Sequence, residues 1–580
     1  MWKLARYLKY FKKQVILGPL FKLTEAVFEL IVPLVMASII DVGVKNQDMG
    51  YVLRMGGVLL LLGAVGLGCA LTCQYFAARA SQGVGTMLRN DLFRHINSLS
   101  HAEIDRFGTP TLITRITNDV NQLQLAVAML IRLVIRAPFL AIGAIIMAMM
   151  LDLKLSLIFL VATPLIVGVL YFVMSRSIPF FRTIQKKLDK IALITRENLE
   201  GVRVIRAFSR QKSEEKRFED ASEDQTHTSI VVGRLSALLN PLTYAIMNFA
   251  IVAIIWYGGI RVDNGILTQG EIIAFVNYMT QILLALVVVA NLVVIFTKAS
   301  ACASRVNEVF ETASCLPQAE GGPVSPAAGA PKIQLRNVRF AYGATGDAAL
   351  EHVDLTIRPG ETVGIIGSTG SGKSTLVNLI PRLYDATQGE VLVDGVNVKE
   401  YPFSQLRRKI GMVPQNAALI SGTLADNLRW GNRDATDEEM RQAVSIAQAE
   451  DFVSKLPQGY ETPILQGGKN LSGGQKQRLT IARALVGSPE ILILDDSASA
   501  LDFATDAALR RSIKRDTAGM TVLMVSQRAS TVKRADKIVV LDDGAVAGIG
   551  THAQLMESCQ VYREICLSQL SEQEAMEHGN

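Results

Sequence analysis

The chain has 580 residues, 49% of them hydrophobic and only 19% charged, with a formal net charge of +6. That length holds two or three domains, and a mean hydropathy of +0.28 is one a soluble enzyme of this size seldom reaches, so membrane spans are expected. The positive balance does not mark a nucleic-acid-binding protein, because Lys and Arg cluster between the hydrophobic runs, where basic excess marks cytoplasmic loops. Six cysteines, at 69, 73, 302, 315, 559 and 566, follow neither a disulfide framework nor a CxxC spacing and are expected as small thiols packed among helices.

Residues 1–13 interleave Trp2, Leu4, Tyr7, Leu8 and Phe11 with Lys3, Arg6, Lys9, Lys12 and Lys13, the pattern of a basic amphipathic helix lying in the cytoplasmic interface. No small-residue cleavage site follows a short apolar core, so the segment does not read as a cleaved signal. Six runs near the ~20 residues needed to cross hydrocarbon come next: 14–40, 51–78, 126–151, 155–174, 236–257 and 271–297. The connections 41–50, 152–154 and 258–270 are short, whereas 79–125 and 176–235 are long and basic. By the positive-inside rule the N-terminus, both long connections and everything after Thr297 are cytoplasmic. The long connections read as helical extensions of the spans, broken near His101–Pro110 and Ala207–Ser213. Short helices at such breaks would dock a cytoplasmic domain; the plainer alternative is a solvated helical hairpin.

In the first span Glu25 and Glu29 are four residues apart and share a helix face. At ~1.5 Å per residue Glu25 lies roughly 18 Å past Lys13, at a depth where an ionisable group is costly and usually faces an interior cavity. Arg132 and Arg136 repeat the spacing in the third span. Two readings stand: the glutamates form a cation-attracting surface in a substrate pathway, or they are neutralised by Lys22 or by those arginines.

Residues 316–331 (LPQAEGGPVSPAAGAP) have linker composition. From Lys332 short β-branched strands alternate with helices, at 333–340, 353–357, 363–366, 391–393, 491–494, 522–525 and 538–541, which predicts an α/β domain with a largely parallel sheet. The expected organisation is an all-α, six-helix transmembrane domain over 1–315, a linker over 316–331, an α/β nucleotide-binding domain over 332–567 and a tail over 568–580.

Gly367-Ser368-Thr369-Gly370-Ser371-Gly372-Lys373-Ser374, followed by Thr375, sits between an apolar strand and a helix. That setting makes the spacing a phosphate cradle: glycines let several N–H groups point at one anion, Lys373 adds a compact cation, and Ser374 offers a hydroxyl to Mg2+. A glycine-rich turn without a ligand has no use for Gly-Lys-Ser at a helix start. Ile491–Asp495 is an apolar strand ending in a carboxylate that helps hold the same metal. Tyr342, upstream, could stack on a purine.

Tyr342, the Gly367–Ser374 loop, Gln415 in Val-Pro-Gln, Leu471-Ser472-Gly473-Gly474-Gln475, Asp495 and Ser499-Ala500-Leu501-Asp502 occur in the order and spacing of ATP-binding cassette transporters. With six preceding spans, nearly the whole chain resembles a half-transporter of the ABC exporter type. The resemblance implies a P-loop, RecA-like ABC domain, a cytoplasmic-membrane location, a second half-transporter as partner, and ATP with Mg2+ sandwiched between the phosphate loop of one half and LSGGQ of the other. It also makes Gln415 the residue near magnesium and the spans, and Asp502 the residue coupling the two sites.

Two departures carry the finer reading. Where hydrolytic members of the family have Glu after the metal-binding Asp, this chain has Asp496; one methylene less withdraws the carboxylate by about an ångström, which can cost ~10²-fold in rate. Where the family has its switch histidine, Gln527 stands, able to hydrogen-bond a γ-phosphate but not to carry charge or shuttle a proton. Together with Gln466, where many exporters have Glu, the pattern resembles the degenerate-site subunit of heterodimeric bacterial multidrug exporters. The expected activity is ATP-driven export of amphipathic small molecules, this half lending an intact LSGGQ to its partner. A lipid flippase or importer on the same scaffold, or a regulatory ATP-binding subunit, are the alternatives.

Overall fold

The computed structural model describes residues 2–316, 324–327, 329–342, 347–497 and 499–569. They fall into two units, Met1–Asn97 with Gly108–Thr312, and Ser98–Phe107 with Ala313–Asn580.

Six helical stretches of the first half are long and apolar enough to cross a membrane: Lys3–Val44, Met49–Ser98, Thr109–Leu151, Leu153–Glu200, Gln211–Asp263 and Gln269–Glu311. Helices Met49–Ser98 and Leu153–Glu200 run for 50 and 48 residues, more than twice what a ~30 Å hydrocarbon layer needs, so the spans do extend as helix into the basic connections, each of which is then broken. The outward faces of the spans carry Leu60 of Met49–Ser98 and Phe249 and Trp256 of Leu239–Asp263, each more than two-thirds exposed, as lipid-facing side chains should be. The first break falls at Gly108 (φ 75°), between helices His101–Phe107 and Thr109–Thr114. The second contains helix Val202–Ala207, none of whose residues is buried.

Prolines decide how the spans hold one another. Pro33 has no N–H to give the Glu29 carbonyl one turn below it. That carbonyl instead accepts from Gln281 Nε2 of the last span at 3.1 Å, and Tyr278 donates its hydroxyl to the neighbouring Leu30 carbonyl at 2.8 Å. Gly270 packs so closely that a Cβ there would sit 2.4 Å from the Ala37 carbonyl, and its N–H donates to Asp41 at 2.9 Å. Phe159 and Phe275, both fully buried, stack 5.7 Å apart in the core between these helices. The basic N-terminal segment is helical, as expected, but not an α-helix. Trp2–Phe11 is a 3₁₀ helix whose three-residue repeat buries Leu4 and Tyr7 together, with the Tyr7 hydroxyl donating to Asp91 at 2.8 Å.

Among its described residues the second unit has twelve strands: β1 (Ile333–Phe340), β2 (Leu350–Ile357), β3 (Thr362–Gly367), β4 (Gln388–Val393), β5 (Val396–Asn397), β6 (Ile410–Val413), β7 (Gly422–Thr423), β8 (Pro463–Ile464), β9 (Ile491–Asp495), β10 (Thr521–Val525), β11 (Lys537–Asp542) and β12 (Ala545–Gly550). A six-stranded sheet in the order β12-β11-β3-β10-β9-β6 is parallel except for β12. Strands β2, β1, β4 and β5 form a separate antiparallel sheet, so three strands expected in the parallel sheet belong elsewhere. The burial patterns show why. Every residue of β9 and β10 is buried, as in a sheet covered on both faces, whereas β1 alternates. Its alternation slips phase between Leu335 and Val338, where Asn337 (φ 46°) makes a bulge.

Of the segment expected as a linker, residues 317–323 and 328 lie outside the described residues; Gln405 brackets Val324 with two hydrogen bonds, at 2.9 and 2.6 Å. Of the expected tail, Ser568 and Gln569 instead close helix Gln560–Gln569, and 570–580 lie outside. Five of the six cysteines are buried and Cys315 is exposed; all six are free thiols.

Candidate nucleotide site

Parallel pairing brings the ends of β3, β10 and β9 to one edge, and the chemistry-bearing residues follow them there. The loop after β3 can be built only with glycine at two points: a Cβ on Gly367 would sit 2.2 Å from the Leu541 carbonyl, and Gly372 has φ 92°. Lys373 curls back under this loop, its Nζ donating to the Gly367 carbonyl at 3.0 Å, the Ser368 carbonyl at 2.6 Å and Ser371 Oγ at 3.3 Å. Burial pushes its ammonium below the usual lysine range, and the charges of Asp496 and Asp495 partly oppose that.

Ser374 Oγ donates to Asp495 Oδ1 at 2.9 Å, so a hydroxyl and a carboxylate 121 residues apart share one point in space. Burial pushes the Asp495 carboxyl upward, as does Asp496, while Ser374 pulls it down. Among the described residues no cluster of three or more His, Cys, Asp or Glu could hold a metal. One carboxylate beside one hydroxyl suits Mg2+, which is bound by few protein oxygens and completes its shell with phosphate and water.

Asp496 follows in the left-handed region (φ 45°), its N–H on the Val525 carbonyl at 3.0 Å. Its carboxyl accepts a hydrogen bond from Gln415; burial raises its pKa, against the nearby charges of Arg528 and Lys373. The residue expected near magnesium is thus tied to the residue expected to handle water. Gln527 is exposed, and its backbone is held rather than its side chain. Gln569, the last residue of its helix, donates Nε2 to the Gln527 carbonyl at 2.8 Å and accepts from the Ala529 N–H at 2.9 Å. Nothing in the sequence pointed to Gln569, which lies 42 residues downstream.

Ser472 caps helix Gly473–Leu485 in a reciprocal capping box: its N–H donates to Gln475 Oε1 at 2.9 Å and its Oγ accepts from the Gln475 N–H at 3.3 Å. Ser472 and Gly473 are exposed, and nothing within 4 Å would meet a Cβ on Gly473. Leu471 packs partly buried against the domain core. Asp502 caps the next helix, accepting from the Thr505 N–H at 2.9 Å and the Thr505 hydroxyl at 2.8 Å. Among the described residues no hydrogen bond joins Leu471–Gln475 to the phosphate loop of the same chain.

Tyr342 is 57% exposed. Its hydroxyl lies 2.9 Å from Thr375 Oγ1, and it meets Phe340 and Tyr384 edge-on at 4.9 and 5.4 Å, which leaves a ring face free to stack. Tyr384 in turn donates to Asp105 at 3.0 Å, so helix His101–Phe107 belongs with the nucleotide site.

Residues 15–287 match the ABC transporter transmembrane region and residues 350–499 the ABC transporter domain. An uncharacterised ABC transporter ATP-binding protein of Mycobacterium tuberculosis is 39% identical over 98% of this chain and 97% of its own length. This chain belongs to the ABC transporter family. The ATP-dependent lipid A-core flippase of Hahella chejuensis is 34% identical over 86% of this transporter and 85% of its own length. A bacterial Atm1-family ABC exporter with ATP bound has the same fold, with a TM-score of 0.78 over 98% of this chain and 99% of its own, at 23% identity. The transporter is therefore a multi-pass membrane protein with a cytoplasmic nucleotide-binding domain that couples ATP hydrolysis to transport.

In its first span Lys22 pairs with Glu25 at 2.6 Å, and Arg136 of the third span pairs with Glu29 at 2.6 Å. The structure thus engages both glutamates of the expected substrate pathway with cations.

Proposed function

We propose that this chain is one half of a heterodimeric exporter of amphipathic, drug-like or lipid-like molecules, and that its own ATP site is the degenerate one. The observation that carries the reading is Asp496 beside Gln527 on one catalytic edge, with the phosphate loop, Asp495 and the LSGGQ helix start intact. The phosphate loop and Lys373 would hold the triphosphate, Tyr342 would stack on the base, and Ser374, Asp495 and Gln415 would hold Mg2+, which when bound would neutralise phosphate charge. Asp496 then sits about one methylene short of the position that orients the attacking water, and Gln527 offers the γ-phosphate only a neutral donor. Ser472, Gly473 and Gly474 complete the partner's site instead, with Asp502 beside it.

The test is ATPase activity of the chain purified alone and of the chain co-purified with a half-transporter carrying Glu and His at the two positions. Slow turnover alone and substrate-stimulated turnover in the pair support the division of labour. Brisk turnover alone that is lost in Gln527→Ala refutes it. The flippase relative favours lipid-like amphiphiles among the possible substrates.

A further inference from the structure

The charges of the first three spans do not cancel. Lys22 is spent on Glu25 and Arg136 on Glu29, while Arg132 makes no ion pair or hydrogen bond among the described residues. Lys22, Glu25 and Arg132 all act electrostatically on Cys73, a fully buried residue of the second span, so they converge where spans one, two and three meet. Two cations, Lys22 and Arg132, against one carboxylate, Glu25, leave that junction positive, and the Arg136–Glu29 pair adds no net charge.

The backbone is irregular at the same place. Helices Val120–Arg132 and Arg136–Leu151 are interrupted between the two arginines, Val134 shares the Met129 carbonyl with Leu133, and Pro138 has no N–H to return to Val134. Counting ~1.5 Å per residue down from Leu151 puts Arg136 about 22 Å and Arg132 about 28 Å deep, in the inner-leaflet half of a ~30 Å layer. Non-helical backbone at membrane depth persists only where protein or a polar cavity covers it, and ionisable groups there mark substrate pathways.

We propose that Arg132, at this junction, is the head-group site for an anionic amphiphile, its charge carried by a phosphate or similar oxyacid. The inference rests on the export reading and narrows its substrate class. It reverses the expectation that Glu25 and Glu29 attract cations, because both carboxylates are already neutralised. A single guanidinium presents a planar fork suited to phosphate.

The test is equilibrium binding to the full chain in phosphatidylcholine nanodiscs without ATP, so it reads independently of any division of labour at the nucleotide sites. The probes share one palmitoyl tail: radiolabelled palmitoyl lysophosphatidate and palmitoyl lysophosphatidylcholine, with hexadecyltrimethylammonium as the cation. Lysophosphatidate is expected to bind about tenfold more tightly than the zwitterion. Arg132→Gln should abolish that preference and Arg132→Lys retain most of it, and Glu25→Gln, by freeing Lys22, should keep or strengthen it. Millimolar inorganic phosphate should not displace the lipid; displacement would overturn the amphiphile assignment. Equal affinity of the wild-type chain for the first two probes, or preference for the cation lost in Glu25→Gln, overturns the proposal without recourse to any variant that fails to fold.

Discussion

If Asp496 and Gln527 are what hold this site back, restoring the missing groups should release it. In the double variant Asp496→Glu, Gln527→His the carboxylate gains about 1 Å of reach from a backbone position anchored by the Val525 carbonyl, and the imidazole arises where Gln569 already pins the main chain on both sides. A misplacement of ~1 Å costs ~10²-fold, or about 2.7 kcal/mol of barrier, and a positioned acid-base group contributes ~10² or more. Because both groups act on one step the gains do not add freely, and the expected acceleration lies between ~10²- and ~10⁴-fold. Glutamate at φ 45° is somewhat less comfortable than aspartate, so a melting curve should accompany the assay. The measurement is phosphate release from the chain alone in nanodiscs at saturating ATP. Wild-type turnover already within the ordinary enzyme range of ~1–10³ s⁻¹, or a double variant that binds ATP yet runs no faster, refutes the reasoning.

Gln281→Leu should strand the Glu29 carbonyl and cost the membrane unit about 1–3 kcal/mol, seen as a lower melting temperature; in a Pro33→Ala background, where an N–H returns to that carbonyl, the cost should shrink. Gln569→Ala should speed deuterium uptake at the Ala529 amide while leaving the β10 core protected. Asp394 and Glu490 are both engaged by Lys332 and Lys409. Burial opposes their ionisation, but the lysine contacts outweigh it and hold both pKa values below the ordinary 3.8 and 4.5. Their folded pKa values are depressed, so this contribution is complete above the unfolded values and disappears as pH falls through the folded ones. Asp394→Asn with Glu490→Gln should therefore lower the melting temperature at pH 7 and lose that difference in strong acid.

The nucleotide chemistry was legible in the sequence because each motif is local: the glycines around Lys373 answer a backbone that only glycine can follow, and Ile491–Asp495 announces a buried strand by its unbroken apolar run. The separate antiparallel sheet around β1 was not legible, since the phase slip at Asn337 looks in one dimension like a weak strand. The four-residue spacing of Glu25 and Glu29 was visible, but not which cations meet them, because Arg136 approaches from a helix 107 residues away.

The sequence by itself determined six apolar spans, a phosphate loop with its metal-side carboxylate and the loss of Glu and His beside them, all properties written within a few consecutive residues and forced by hydrophobic length or backbone sterics. Only the tertiary structure decided that Gln569 holds the switch loop, that Gln281 satisfies the carbonyl Pro33 exposes, and that Arg132 meets no ion-pair partner among the described residues. Those outcomes depend on which distant polar groups are brought within hydrogen-bonding distance, and hydrogen bonds are too short-ranged and directional for spacing along the chain to foretell them.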